Sequence, residues 1–124
     1  MVLSLRLDEP VVLDKNRLAE IIARLGPRGA DEVISRTMEE LAVQLAKVHK
    51  ASASGKHIEI NRAAQKIMEY AAHVGMPTLS AAAANVVTYQ HPGTASALAA
   101  IIARLERTGE ASLMQVWDLQ DLSM

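Results

Sequence analysis

The sequence predicts an all-α fold, and three observations carry that expectation. Half of the 124 residues are hydrophobic, yet there is no phenylalanine, one tryptophan and two tyrosines, against 21 alanines. Alanine, leucine, methionine, glutamate and arginine favour helices, whereas β-branched and aromatic residues favour strands. Apolar residues also recur at three- and four-residue spacing along most of the chain. Together these predict an up-and-down antiparallel four-helix bundle with additional short terminal helices. The bundle is expected over residues 14–124 as one domain, with residues 1–13 forming an N-terminal arm or short helix.

The elements follow in order. Leu3, Leu5 and Leu7 alternate with Ser4 and Arg6 until Pro10, which reads as an arm lying on the bundle. Asp14 suits an N-cap, and Leu18, Ile21, Ile22 and Leu25 then recur at helical spacing. Gly26-Pro27 stops that helix, because proline has no N–H to donate and restricts the residue before it. A second helix begins near Gly29-Ala30-Asp31 with the stripe Ile34, Met38, Leu41, Leu45 and Val48, and "ASASGK" is a turn. A third carries Ile60, Ala64, Ile67, Ala71 and Val74, so the pair reads as a helical hairpin. Gly75 closes the third helix, and Pro77 fits the first turn of a fourth, "TLSAAAANVVTYQ". "HPG" at 91–93 is a loop. A fifth helix buries Leu98, Ile101, Ile102 and Leu105 and ends at Gly109. Beyond it, "EASLMQVWDL" is expected to dock Leu113 and Trp117 as one last short helix.

Composition narrows the function. A formal charge of -1 argues against a protein coated with basic charge for nucleic acid. No apolar run is long enough to span a bilayer, and "MVLSLRLDEP" lacks the basic region and long apolar run of a secretory signal. The expected location is therefore cytoplasmic. The absence of cysteine excludes disulfides, thiolate chemistry and cysteine-ligated zinc. Glu69 and His73 form the nearest approach to a metal-binding pattern and supply only two ligands, so neither metal nor cofactor is expected.

The third helix holds the candidate site. With its apolar stripe at zero, 100° per residue places Gln65 at about 140°, Glu69 at about 180°, Arg62 at about 200°, His73 at about 220° and Lys66 at about 240°. All five face away from the core, and Met68 lies at the boundary, at about 80°. Lys47, Lys50 and Lys56 add a basic patch beside Arg62 and Lys66, with Glu59 as the one carboxylate between residues 47 and 66. Such a patch would steer an acidic partner; its bland alternative is a solvated face. With no aromatics interleaved, it does not suit nucleic acid. Met68, Tyr70 and Met76 read either as a soft docking rim or as fillers between helices. Trp117 reads either as a cap on the bundle or as an interface anchor.

The hairpin and the run Ala64-Gln65-Lys66-Ile67-Met68-Glu69-Tyr70, followed by Gly75 and Leu79, resemble the histidine-containing phosphotransfer (Hpt) domains of two-component phosphorelays. The local pattern in that family is Ala-His-x-Leu-Lys-Gly-(Ser/Ala), with a glycine and a leucine downstream. The resemblance covers about 100 residues, and it implies a four-helix bundle whose exposed histidine carries a phosphoryl group between receiver domains. Here Gln65 stands in place of that histidine, Met68 in place of the lysine and Glu69 in place of the glycine. An imidazole nitrogen offers a lone pair near neutral pH, whereas a carboxamide nitrogen is conjugated with its carbonyl. The resemblance therefore implies a binding module that docks the receiver domain of a response regulator or of a hybrid histidine kinase without accepting phosphate. The partner-binding residues would be Arg62, Gln65, Lys66, Met68, Glu69 and His73.

Two rivals accompany this reading. His73 lies eight residues beyond Gln65, roughly 12 Å along the axis, and Glu69 could orient it for phosphotransfer. A bundle that self-associates through its alanine-rich fourth helix is the structural alternative. His49, His57 and His91 read as surface residues.

Overall fold

The computed structural model describes residues 10–89 and 95–122, and four helices account for most of them. Helix α1 spans Lys15–Ala53, α2 spans His57–His73, α3 spans Pro77–Thr88 and α4 spans Ala95–Leu122. Each packs against the next in sequence, and α4 returns against α1, so the molecule is an all-α bundle. Among the described residues there is no strand. Residues 1–9 of the expected arm and the "HPG" loop lie outside the described residues. Residues 10–13 have neither helix nor strand; the Val12 N–H donates to Thr78 Oγ1 at 2.9 Å and Leu13 packs on the core.

Helix α1 begins where Asp14 Oδ1 accepts from the Arg17 N–H at 3.1 Å, satisfying one of the free donors of the first turn. It breaks at Gly26, whose φ of 77° and ψ of 165° leave the helical region just before Pro27. The break turns the first arm, residues 15–25, back over the end of the bundle. Arg17, Glu20 and Arg24 of that arm and Val33 and Thr37 of the second arm line one cleft with Tyr70 and His73. Two hydrogen bonds hold the arm there: Asp14 N–H to the Gly75 carbonyl at 2.8 Å, and Arg17 Nε to the His73 carbonyl at 2.9 Å.

Helix α2 buries Ile60, Ala63, Ala64, Ile67 and Ala71 between α1 and α3. The amphipathic pattern thus does what its period requires, since most helical stability in proteins comes from packing one apolar face. Gly75, at φ 74°, reverses the chain, and a Cβ there would lie 2.9 Å from the Asp14 carbonyl oxygen. The position thus combines a backbone region that favours glycine with a backbone-to-backbone approach. Pro77 opens α3, and Leu79, Ala82, Ala83 and Val86 complete that side of the core. Met76 is completely buried, so it fills a gap between helices and has no place in a docking rim.

Helix α4 departs from the expectation. Gly109 does not end a helix, and residues 110–119 are not a separate one: α4 runs unbroken through both. The reason is packing against α1. A Cβ on Gly109 would lie 2.7 Å from both Leu45 Cδ atoms, so the missing side chain lets the two helices close together. Thr108 and Ser112, also buried, continue this small-residue seam, and the Thr108 hydroxyl donates to the Arg104 carbonyl at 2.8 Å. Contacts from Asp31 and Ser35 to Gln120, Leu45 to Gly109, and His49 to Glu106 run in opposite residue order, so α1 and α4 are antiparallel. Of the residues expected inside, Ile102, Leu105 and Leu113 are buried, while Leu98 and Ile101 are partly so. Trp117 is 48% exposed and lines a shallow cleft between α4 and α1 with Ala42, Leu45, Ala46 and Met114.

The two glycines should respond differently to substitution. Gly75→Ala should lower the unfolding free energy by about 2 kcal/mol, from left-handed backbone strain together with a contact that only backbone movement relieves. Gly109→Ala should cost under about 1 kcal/mol, because the gain in helix propensity offsets the displacement of a flexible leucine. Chemical denaturation of the two variants measures both.

Candidate functional site

The exposed side of α2 is organised by the buried one. With Ile60, Ala64 and Ile67 held inside, Arg62, Gln65, Lys66, Glu69 and His73 are all exposed, and Met68 is half-buried. Gln65 therefore stands in solvent near the middle of α2, one residue beyond the fully buried Ala64. Met68 marks the α3 seam, where the Ser80 hydroxyl donates to its carbonyl at 3.1 Å.

The structure does not gather these residues into one site. On the α1 flank, Arg62 and Lys66 join Lys47, Lys50 and Lys56 around a groove of about 510 Å³. Gln44, Ala51, Ser54, Glu59 and Ala63 complete its lining. Gln65, Met68, Glu69 and His73 do not line it. The hairpin creates this concentration of charge: the last turns of α1 and the first turns of α2 flank one short turn, so residues on both sides of it face each other. Among the described residues, none of the five cations has a carboxylate oxygen within 4.0 Å. Like charges gathered without counter-ions raise the local potential and attract anions.

Gln44 is the residue that periodicity missed. It occupies a core position of α1 at 3% exposure and lines the groove, and its amide makes no hydrogen bond among the described residues. Leu45, the stripe residue expected there, turns instead toward α4 and is only partly buried. That amide is not sealed off: among the described residues the one buried side-chain polar atom without a partner is Arg107 Nε.

His73 lies at the opposite end of α2, in the cleft under the α1 arm. Its Nδ1 is 3.1 Å from the Glu69 carbonyl oxygen. A carbonyl only accepts, so Nδ1 carries the hydrogen, and in the neutral ring the lone pair is on Nε2. Glu69 thus orients the imidazole through its backbone, not its carboxylate. His49 reaches α4, with Nδ1 3.2 Å from Glu106 Oε1, while His57 is exposed at the start of α2. His91 lies outside the described residues. No cluster of three potential metal ligands occurs among the described residues.

Other surfaces add context. An apolar groove of about 660 Å³ lies where the α1 kink meets the end of α4, lined by Leu18, Ile22, Pro27, Ile34, Val116 and Leu119 among others. On α3, Ala82 and Ala83 are consumed by the core, which leaves little of the alanine run for self-association. No helix among the described residues is long and apolar enough to cross a membrane.

Comparison with protein-family models, with curated proteins and with solved structures finds no match to this chain.

The charge cluster has a measurable signature. Lys50→Gln should raise stability by a few tenths of a kcal/mol at low ionic strength by relieving repulsion, and the gain should vanish as salt screens it. Denaturation midpoints with and without added salt test this.

Proposed function

We propose that the chain is an Hpt-like protein of two-component phosphorelay signalling that docks receiver or kinase domains without being phosphorylated. Its place would be the cytoplasm, and its bundle the up-and-down arrangement of that family. The observation that carries the reading is the placement of Gln65: fully outside the core, midway along a bundle helix, with Ala64 packed beneath it. Its position suits a surface offered to a partner, and its carboxamide cannot attack phosphorus. Arg62 and Lys66 supply charge complementary to the acidic phosphorylation site of a receiver, and Met68 supplies an adaptable apolar edge. Such a module would compete with a true transfer protein for the same receiver, or hold two domains together.

One observation favours a second reading. The hydrogen bond from His73 Nδ1 to the Glu69 carbonyl leaves Nε2 as the nucleophilic nitrogen of the neutral ring. Transfer from a receiver aspartyl phosphate would break the P–O bond, form a P–Nε2 bond and return a carboxylate to the receiver.

Incubation with a panel of phosphorylated receivers separates the two. The binding reading expects a complex with at least one receiver and no label on this chain. Arg62→Glu should weaken that complex at least about tenfold by placing like charge against an acidic face. Acid-labile label that vanishes in His73→Ala would replace binding by transfer, and failure of every receiver to bind would remove both.

A further inference from the structure

The basic groove between α1 and α2 has two properties that a solvated face does not need. Its five cations, Lys47, Lys50, Lys56, Arg62 and Lys66, face a single carboxylate, Glu59, and none is ion-paired within the described residues. Below them, Gln44 lines the same groove at 3% exposure, and its amide, which is not closed off from the groove, makes no hydrogen bond among the described residues. A flat acidic protein surface could satisfy the lysines, but it could not reach an amide recessed this far between two helices. A small ligand could.

From this pairing we infer that the groove is a binding site for a small oligophosphate, either an inorganic phosphate chain or the phosphates of a nucleotide. The charge matches: a triphosphate chain carries about three to four negative charges near neutral pH, against a surplus of four cations counted from the five and the one carboxylate. The size matches as well, since 510 Å³ falls inside the range of about 300–1,000 Å³ usual for small-molecule sites. Lysine and arginine side chains at the mouth bind phosphate oxygens as charged donors, Arg62 in bidentate fashion. At the floor, the Gln44 amide donates to a phosphate oxygen or pairs with a nucleobase edge, and Ala51 and Ala63 leave room for either. This site meets the receiver-docking surface at Arg62 and Lys66 and differs from it at Gln65, Glu69 and His73, which do not line the groove.

Calorimetric titration of the 124-residue chain with sodium tripolyphosphate and with ATP tests the inference. Saturable one-to-one binding is expected for at least one probe. Lys50→Gln should weaken it about tenfold through loss of a charge-assisted contact. Gln44→Met, which keeps the buried volume, should weaken it about threefold or more with unchanged helical circular dichroism. ATP binding at least about tenfold tighter than tripolyphosphate would identify the ligand as a nucleotide, and equal binding would identify the phosphate chain itself. The Lys50 variant alters only the surface, so it remains informative if the Gln44 variant unfolds. The inference is overturned by absence of saturation with both probes. It is equally overturned if binding is indifferent to Gln44→Met and matched by polyglutamate, which would mark a non-specific basic face. Receiver binding is read with receiver proteins, and oligophosphate binding through Lys50 and Gln44, which are not among the residues proposed to dock a receiver, so either result can fail alone.

Discussion

The burial of Ile60, Ala64, Ile67 and Ala71 along α2 fixes the rotation of that helix, and the functional geometry depends on it. The four side chains fill the space between α1 and α3, so a turn of α2 about its axis would expose them and drive Arg62 or Glu69 inward. Removing one such aliphatic side chain typically costs about 2–5 kcal/mol, and burying an unpaired charge costs more. The exposed ridge is therefore held by its opposite face and needs no bonds of its own. Gly75 transmits the same constraint outward. By reversing the chain within touching distance of Asp14, it ties the end of α2 to the beginning of α1.

A single helix thereby serves two surfaces of different character. The crest carries an inert amide and a carboxylate, Gln65 and Glu69, both exposed. One flank closes with α1 into a groove whose chemistry is that of clustered cations over a recessed amide. Electrostatics links them, since Arg62 and Lys66 stand on the ridge between the two. Long-range steering toward the ridge and short-range capture in the groove would draw on the same charges, with salt weakening the first more than the second.

Much of this was legible from residue order. The outward angle of Gln65, the break at Gly26-Pro27, the cap at Asp14 and the reversal at Gly75 each follow from local rules, because each is decided by neighbours in sequence. What failed was decided by neighbours in space. Gly109 looks like a helix terminator until Leu45 is known to lie against it. Gln44 is polar, so a search for apolar periodicity assigned the core position to Leu45 beside it. Trp117 could be a cap or an interface anchor by its chemistry alone, and only the packing shows it half-exposed beside a seam completed by Thr108, Ser112 and Val116. The five cations were visible as a composition bias, but only the hairpin register shows that Gln65 stands outside their groove.

The back-folded arm of α1 carries a consequence for the order of events in the molecule. Arg17 meets the His73 carbonyl across 56 residues of chain, so its seat does not exist until the α1–α2 hairpin has closed. Loop closure costs more as the separation grows, and the contacts of α1 with α4, up to 89 residues apart, span more chain still. The arm is thus placed to dock only after the hairpin has closed. Because Arg17 holds the His73 carbonyl, a transient opening there would free the last turn of α2, whose imidazole already stands exposed, before the rest of the bundle opens.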